Sequence, residues 1–255
     1  MACDLSELFD GVSQDQNPFI VAVKEDNVEE ISKLYDSNMN LNEPHSETEL
    51  TPMQVAVHCG SKGAINILKE LGADPNGSGQ LLLHHAIEYR HDDNDTIELL
   101  ESIGVEIDQV DNLGRTPLFI AAANGYLETV KLLKKLCADV NKARCNGQTP
   151  IFIAAENDDA KTVELLAEVG AEVNKSNANG ETPLSKAIQK KHRRIVEILQ
   201  RHGAKFSTED MDIETVDHVK EFFQQLNIDP GTGLNTLLDT IEKKKIDKMS
   251  KFMKI

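Results

Sequence analysis

The chain has 255 residues, and its 40% apolar and 27% charged residues are the balance of a folded protein rather than a disordered one. Its formal charge of −16 argues against nucleic acid as the main partner, because phosphate binding needs clustered positive charge. No apolar run reaches the roughly 18–20 residues of a membrane-spanning helix. The first ten residues carry acids where a signal peptide carries basic residues.

Cysteine and aromatic content narrow the class further. The four cysteines, at positions 3, 59, 137 and 145, have no regular spacing that would indicate a disulfide framework or a zinc site. Tryptophan is absent and aromatic residues make up only 4%, so the core must be built from Leu, Ile, Val and Ala. We therefore expect an all-α protein of the reducing cytoplasm, with the nucleus as the alternative compartment.

A short motif recurs six times along the chain. In chain order its copies are Asn17–Ala22, Thr51–Ala56, Leu81–Ala86, Thr116–Ala122, Thr149–Ala155 and Thr182–Ile188. The threonines of the last three copies are 33 residues apart. Most copies end about 25 residues later in a string such as Gly-Ala-Asp-Pro-Asn at 72–76, so two landmarks recur in phase.

This pattern resembles the ankyrin repeat family over about residues 15–207. The resemblance implies an all-α solenoid of stacked helix-turn-helix units with turn or hairpin tips between them. The six repeats would span about 17–50, 51–80, 81–115, 116–148, 149–181 and 182–207. Each unit exposes an apolar face that it cannot bury alone, so stacking on its neighbours has to supply the stability.

The residues of the fourth repeat explain why such a unit forms. Thr116 before Pro117 predicts a helix N-cap, since proline at the first helical position needs no amide donor. The pair Asn124-Gly125 predicts a tight turn that requires a left-handed glycine. A second helix is expected over about 127–136, with leucine and valine on one face.

The third repeat departs from this pattern. Leu81 and Leu82 replace Thr-Pro, which removes the cap, and two extra residues lie near Asp93. The connector before it is also shorter than the one that precedes the fifth repeat. Repeats two and three are therefore expected to stack less regularly than repeats four to six, with local opening concentrated around residues 77–108.

The two ends of the array require separate explanations, because repeat arrays need polar outer faces. Residues 1–14 are predicted to form an N-terminal capping segment. Residues 208–255 read as a C-terminal pair of amphipathic helices broken at Asn227–Gly233. Two interpretations stay open for this pair: a cap over the sixth repeat, or an interaction segment that binds a partner.

The candidate reactive residues do not assemble into a catalytic or metal site. His84 and His85 are adjacent, so on a helix their side chains diverge by about 100° and cannot hold one ion together. The resemblance assigns His84 a structural hydrogen bond at the start of its repeat. Cys145 has no assignable base, and no phosphate loop or nucleophile elbow is present. We expect no enzyme activity, no cofactor and no metal.

Charge is distributed unevenly along the chain. Residues 1–110 hold 22 acidic and 5 basic side chains, a net of −17, whereas residues 111–205 hold 11 acidic and 15 basic ones, a net of +4. The run Lys190–Arg194 coincides with the turn between the two helices of the sixth repeat. A solvated turn is favoured there over a nuclear address or an anion site.

The resemblance implies binding of folded partners or extended peptides on a concave face made by turn tips and first helices. We expect a non-catalytic, monomeric scaffold for a protein or peptide partner, with an acidic partner favoured at the positive half. The alternative is a regulatory or substrate-presenting module whose C-terminal helices carry the effector function. By position, the partner-binding residues of the last three repeats are Asn112, Leu113, Arg115, Ala123, Asn124, Cys145, Asn146, Gln148, Glu156, Asn157, Ala178, Asn179, Glu181, Gln189 and Lys190.

Overall fold

The computed structural model describes residues 17–45, 49–77, 81–89 and 93–205. Within these ranges the chain is all-α, with twelve helices and no strands, which confirms the predicted fold class. The proposed N-terminal cap and C-terminal helical pair lie outside the described residues. The helices are α1 Pro18–Lys24, α2 Val28–Leu34, α3 Pro52–Cys59, α4 Lys62–Glu70, α5 Leu82–Tyr89, α6 Asn94–Ser102, α7 Pro117–Asn124, α8 Leu127–Lys135, α9 Pro150–Glu156, α10 Ala160–Glu168, α11 Pro183–Gln189 and α12 Arg193–Arg201.

The predicted Thr-Pro caps are present at the start of four of the odd-numbered helices. The hydroxyl of Thr116 accepts a hydrogen bond from the amide of Phe119 at 3.1 Å, and the hydroxyl of Thr149 accepts one from Phe152. Thr51 and Thr182 cap α3 and α11 in the same way. These caps satisfy amides that would otherwise lack a partner in the first turn, which is why each helix begins where the motif does.

The turn between the two helices of a pair has a left-handed residue at a fixed place. Gly125 adopts a φ of +72° after α7, as the Asn-Gly pair predicts. Asp158 and Lys191 adopt φ values of +61° and +64° at the equivalent positions after α9 and α11. The backbone geometry of this turn is therefore kept even where the residue is not glycine.

The chain divides into two compact units. Of the described residues, unit 1 takes those within 1–112 and 131–138, and unit 2 takes those within 113–130 and 139–205. In unit 1, α1 packs against α3 and α3 against α5, while α2 packs against α4. In unit 2, α9 packs between α7 and α11, and α10 packs against α12. Apolar side chains such as Ile65 and Leu82 in unit 1 and Phe152 and Leu166 in unit 2 are fully buried in these contacts.

Asparagine side chains link neighbouring helix pairs inside each unit. In unit 1, Asn76 donates from Nδ2 to the carbonyl of Gly104 at 2.6 Å and accepts from the amide of Glu106 at 2.9 Å. In unit 2, Asn141 forms the same two bonds with Gly170 and Glu172. Asn174 repeats the arrangement with Gly203 and Lys205. We call this arrangement the asparagine link.

Candidate partner-binding surface

Backbone hydrogen bonds join consecutive turn tips in unit 2. The amide of Cys145 donates to the carbonyl of Leu113 at 3.1 Å, and the amide of Ala178 donates to the carbonyl of Asn146 at 2.8 Å. Gly114 has a φ of +74°, and a Cβ there would lie 2.7 Å from the Cys145 nitrogen, so only glycine allows this approach. The consecutive turn tips of this unit are therefore aligned. We call the exposed residues Leu113, Cys145, Asn146, Ala178 and Asn179 the tip row.

The tip row combines an apolar residue with polar ones. Leu113 is 56% exposed, which is unusual for a large apolar side chain, and Cys145 is exposed as well. Asn146 is held in place because its Oδ1 accepts from the Nε of Arg144 at 2.9 Å and from the amide of Gln148 at 3.1 Å. The row therefore presents accessible apolar surface beside oriented amide groups.

A second set of predicted residues lies at the C-terminal ends of the odd-numbered helices of unit 2. Asn157 donates from Nδ2 to the carbonyl of Ala123 at 2.8 Å, which fixes the ends of α7 and α9 together. Lys190 lies 3.7 Å from the carboxylate of Glu156, which links α9 to the end of α11. We call Ala123, Asn124, Glu156, Asn157, Gln189 and Lys190 the helix row.

The remaining predicted residues differ in accessibility. Asn112 is exposed and Arg115 is half-buried. Gln148 is only 7% exposed, and its Nε2 donates to Glu156 at 3.3 Å. It therefore holds the side chain of Glu156 in the helix row rather than presenting its own amide to solvent. Glu181 is half-buried. Burial would raise the pKa of its carboxyl, but the hydrogen bonds from Lys186 and Asn177 and the charge of Lys186 hold that pKa below its usual value.

Arg144 belongs to this surface although the sequence did not single it out. Its guanidinium lies over the ring of Phe119 with 5.4 Å between the guanidinium carbon and the ring centroid, a cation–π distance. The same side chain donates to Asn146. A basic residue directly before the exposed Cys145 was the available signal, but the position of the Phe119 ring was needed to interpret it.

Unit 1 contains a group of rings that the adjacency argument for histidines missed. His58 at the end of α3 and His85 on α5 are 27 residues apart, and their Nδ1 and Nε2 atoms are 3.3 Å apart. Tyr89 completes the group, with ring centroids 5.6 Å from His58 and 4.6 Å from His85. Burial, together with the charge of His58, lowers the pKa of His85 from 6.5 to about 3. We call these three residues the ring cluster.

The first three residues of the basic run at 190–194 lie in the predicted turn, whereas Arg193 and Arg194 belong to α12. Lys190 caps the end of α11, Lys191 has the left-handed φ, and α12 begins at Arg193. His192 lies with its Nδ1 2.9 Å from the carbonyl of Ala155. Arg193 donates to Glu197 at 2.9 Å. Part of the charge in this run is therefore balanced locally by acidic neighbours.

The described ranges show no metal centre and no membrane helix. Among residues 17–45, 49–77, 81–89 and 93–205, no three His, Cys, Asp or Glu side chains lie close enough together to hold a metal ion. None of the helices in those ranges has the length and apolar character to cross a bilayer.

Comparisons with known proteins agree with this geometry. A family model described as "Ankyrin repeats (3 copies)" matches residues 76–144 and again 132–210, which together cover more than half of the chain. The chain belongs to the ankyrin repeat family. The crystal structure of the ankyrin repeat domain of Bcl-3, described as a unique member of the IkappaB protein family, is similar with a TM-score of 0.70. That match has 24% identity and covers 82% of this chain and 98% of that one.

No curated protein sequence matches the chain. The likeness to Bcl-3 therefore shows the ankyrin fold and nothing finer. Ankyrin repeats generally mediate protein–protein interaction without catalysis, and nothing in the described part of this ankyrin repeat protein points to a reaction.

Proposed function

We propose that this ankyrin repeat protein is a non-catalytic, monomeric scaffold of the cytoplasm that binds a protein or peptide partner on the concave face of its array. The binding residues are the tip row and the helix row of unit 2. The observation that carries the proposal is the backbone bonding between tips, which places an exposed leucine in line with exposed amides. A pre-ordered row loses little conformational freedom when it binds.

The chemistry of the two rows fits an interface. Leu113 and Cys145 offer an apolar centre, and the amides of Asn146, Asn157 and Asn179 offer directional donors and acceptors around it. An apolar centre with a polar surround is the usual anatomy of a protein interface. Because residues 111–205 carry a net charge of +4, an acidic partner meets less repulsion here than over the first 110 residues.

The chain offers a matched pair of cysteines for locating the partner. Cys145 lies in the tip row, whereas Cys137 is also exposed but follows α8, the second helix of its repeat. Two single-cysteine proteins, each with the other cysteines replaced by serine, would carry the same photo-crosslinker in cell lysate. We expect Cys145 to capture a partner that Cys137 does not. The proposal is contradicted if Cys137 captures the same partner with equal yield, or if neither cysteine captures one.

A substitution tests the apolar centre directly. Leu113→Asp places a charge at a 56% exposed position, so folding should be nearly unaffected while the captured partner binds at least about tenfold more weakly. Arg115 is half-buried and is left unchanged so that stability does not confound the result. Glu49→Lys, an exposed change in unit 1, is the control and should mainly alter the association rate and its salt dependence. If Leu113→Asp binds normally and Glu49→Lys abolishes binding, the partner binds to unit 1 and the proposal is wrong.

A further inference from the structure

Two members of the ring cluster, His58 and Tyr89, occupy the register in unit 1 that the helix row occupies in unit 2. His58 lies seven residues after the Thr51 cap, as Ala123 lies seven residues after Thr116. Tyr89 lies at the end of α5, where unit 2 has the asparagine or lysine of the helix row. All three residues are half-buried, so each keeps some surface accessible to solvent. At these two positions unit 1 therefore has rings, whereas unit 2 has the alanine, amide and charged residues of the helix row.

The geometry of the rings leaves aromatic faces at an angle to one another. The His58 ring is inclined by 62° to His85 and by 63° to Tyr89, both edge-to-face arrangements. The planes of His85 and Tyr89 are inclined by 38°. Such a corner of rings offers a π face to a ligand, and a tyrosine face attracts a cation at distances within about 6 Å.

The part of the sequence that contains the ring cluster is strongly acidic. The first 110 residues carry 22 acidic and 5 basic side chains. Glu88 directly precedes Tyr89 and Arg90 directly follows it, and the exposed Glu25 follows α1, which packs beside α3. His85 is neutral at pH 7 and so does not offset this field. A field of this sign concentrates positively charged segments near the rings.

We propose that the ring cluster is a second interaction surface, which receives an arginine or lysine side chain from an extended basic segment of a protein partner. Arginine suits it best because a planar guanidinium can stack on a ring while its charge stays in the acidic field. This surface is separate from the tip row, lies in the other unit and takes a partner of opposite charge. A test of this proposal does not decide the function proposed above, and the reverse also holds.

A metal ion is the competing occupant of two neighbouring histidines. Here the two ring nitrogens are within hydrogen-bond distance of one another, and the described residues bring no third His, Cys, Asp or Glu into a common site. Two ligands alone fall short of the three protein ligands of even an open zinc site. The rings are therefore assigned to recognition of a cationic side chain.

The probe for the test is a fluorescein-labelled nona-arginine peptide, with a nona-citrulline peptide as its neutral isostere. Tyr89→Leu keeps an apolar side chain and the net charge but removes the aromatic face, and Tyr126→Leu makes the same change in unit 2. By fluorescence anisotropy at physiological salt, Tyr89→Leu should bind nona-arginine roughly five- to tenfold more weakly, whereas Tyr126→Leu should bind like the unmodified protein. The citrulline peptide should show no measurable binding.

Equal binding by Tyr89→Leu and the unmodified protein, or binding of the citrulline peptide, overturns the proposal. A second measurement does not depend on the variant folding. In NMR spectra of the unmodified protein, nona-arginine should shift the imidazole signals of His58 and His85 and leave those of His192 and His202 in place. Shifts confined to the latter two histidines would show general electrostatic binding and would also overturn it.

Discussion

The two units of the chain use the same backbone devices to present different chemistry. The asparagine link of Asn76 in unit 1 is repeated by Asn141 in unit 2, bond for bond. Beyond these shared devices the units diverge: the ends of α3 and α5 carry rings in a negative field, and the ends of α9 and α11 carry amides and lysine beside a positive one. A few backbone-binding residues maintain the fold, so the exposed positions are free to vary with the partner.

The third repeat shows the limit of this freedom, because there the framework itself is altered. Leu81 precedes α5 where Thr149 precedes α9, and a leucine side chain has no atom that accepts from a helix amide. Three residues into the motif, His84 is buried where Phe152 fills the core of the fifth repeat. The comparison therefore predicts that stability is concentrated in unit 2.

The largest effect on unfolding free energy is expected from a truncation of a core side chain. Phe152→Ala removes a fully buried ring between α7 and α11 and should lower the free energy of unfolding by about 3–5 kcal/mol in chemical denaturation. His84→Ala at the matching position of the third repeat removes a smaller polar ring and should cost clearly less. Equal costs would show that the third repeat is packed as well as the fifth.

A second test uses acid. The pKa of His85 is about 3 in the folded protein and about 6.5 in the unfolded chain. Between pH 6.5 and pH 3 the unfolded chain therefore binds a proton that the folded protein does not, so stability is lost as the pH falls through this range. At pH 5 the loss should be roughly 2 kcal/mol. Glu181 in unit 2 has a lowered pKa as well, so its contribution is lost only below the usual carboxyl range.

The control for the acid test is His85→Gln. The difference in unfolding free energy between pH 7 and pH 5 should shrink in this variant by that same amount, measured by denaturant titration at each pH. An unchanged difference would mean that His85 titrates normally in the folded chain.

The smallest test exchanges caps between the two repeats. Thr149→Ala should cost about 1 kcal/mol because the amide of Phe152 loses its acceptor. Leu81→Thr, which installs the missing acceptor before α5, should stabilise the protein by roughly 0.5 kcal/mol and slow hydrogen exchange of the amides in α5 and α6. Before that change these amides should exchange faster than those of α9 and α10. The reverse order of exchange would refute the predicted weakness of the third repeat.

The sequence was sufficient to predict features that depend on neighbours in the chain. Thr116 and Phe119 are three residues apart, and Gly125 needs only its own turn, so the caps and the turn could be derived from local chemistry. The observed alignment of the tips agrees with the regular 33-residue spacing of the last repeats. Gln148 shows where this reasoning fails. Its position in the connector indicated exposure, but its burial depends on how α9 packs.

Contacts between side chains far apart in the sequence could also not be predicted. His58 and His85 meet at a separation of 27 residues, which the 33-residue period does not indicate. The Arg144–Phe119 contact lies within the fourth repeat, and it likewise depends on side-chain directions that the sequence does not give. In both cases the residue types were visible, whereas the distance between them was set by packing.

The asparagine link bears on how a chain of this kind can change its length. Asn141 binds a carbonyl and an amide of the following repeat, both backbone groups that almost any sequence supplies. A duplicated repeat would bring its own asparagine and its own pair of backbone groups, so both new junctions could form without any further substitution. A deletion of a few residues inside a repeat would instead move the asparagine away from the carbonyl and the amide that it binds. Such a chain can therefore gain or lose whole repeats much more easily than parts of one.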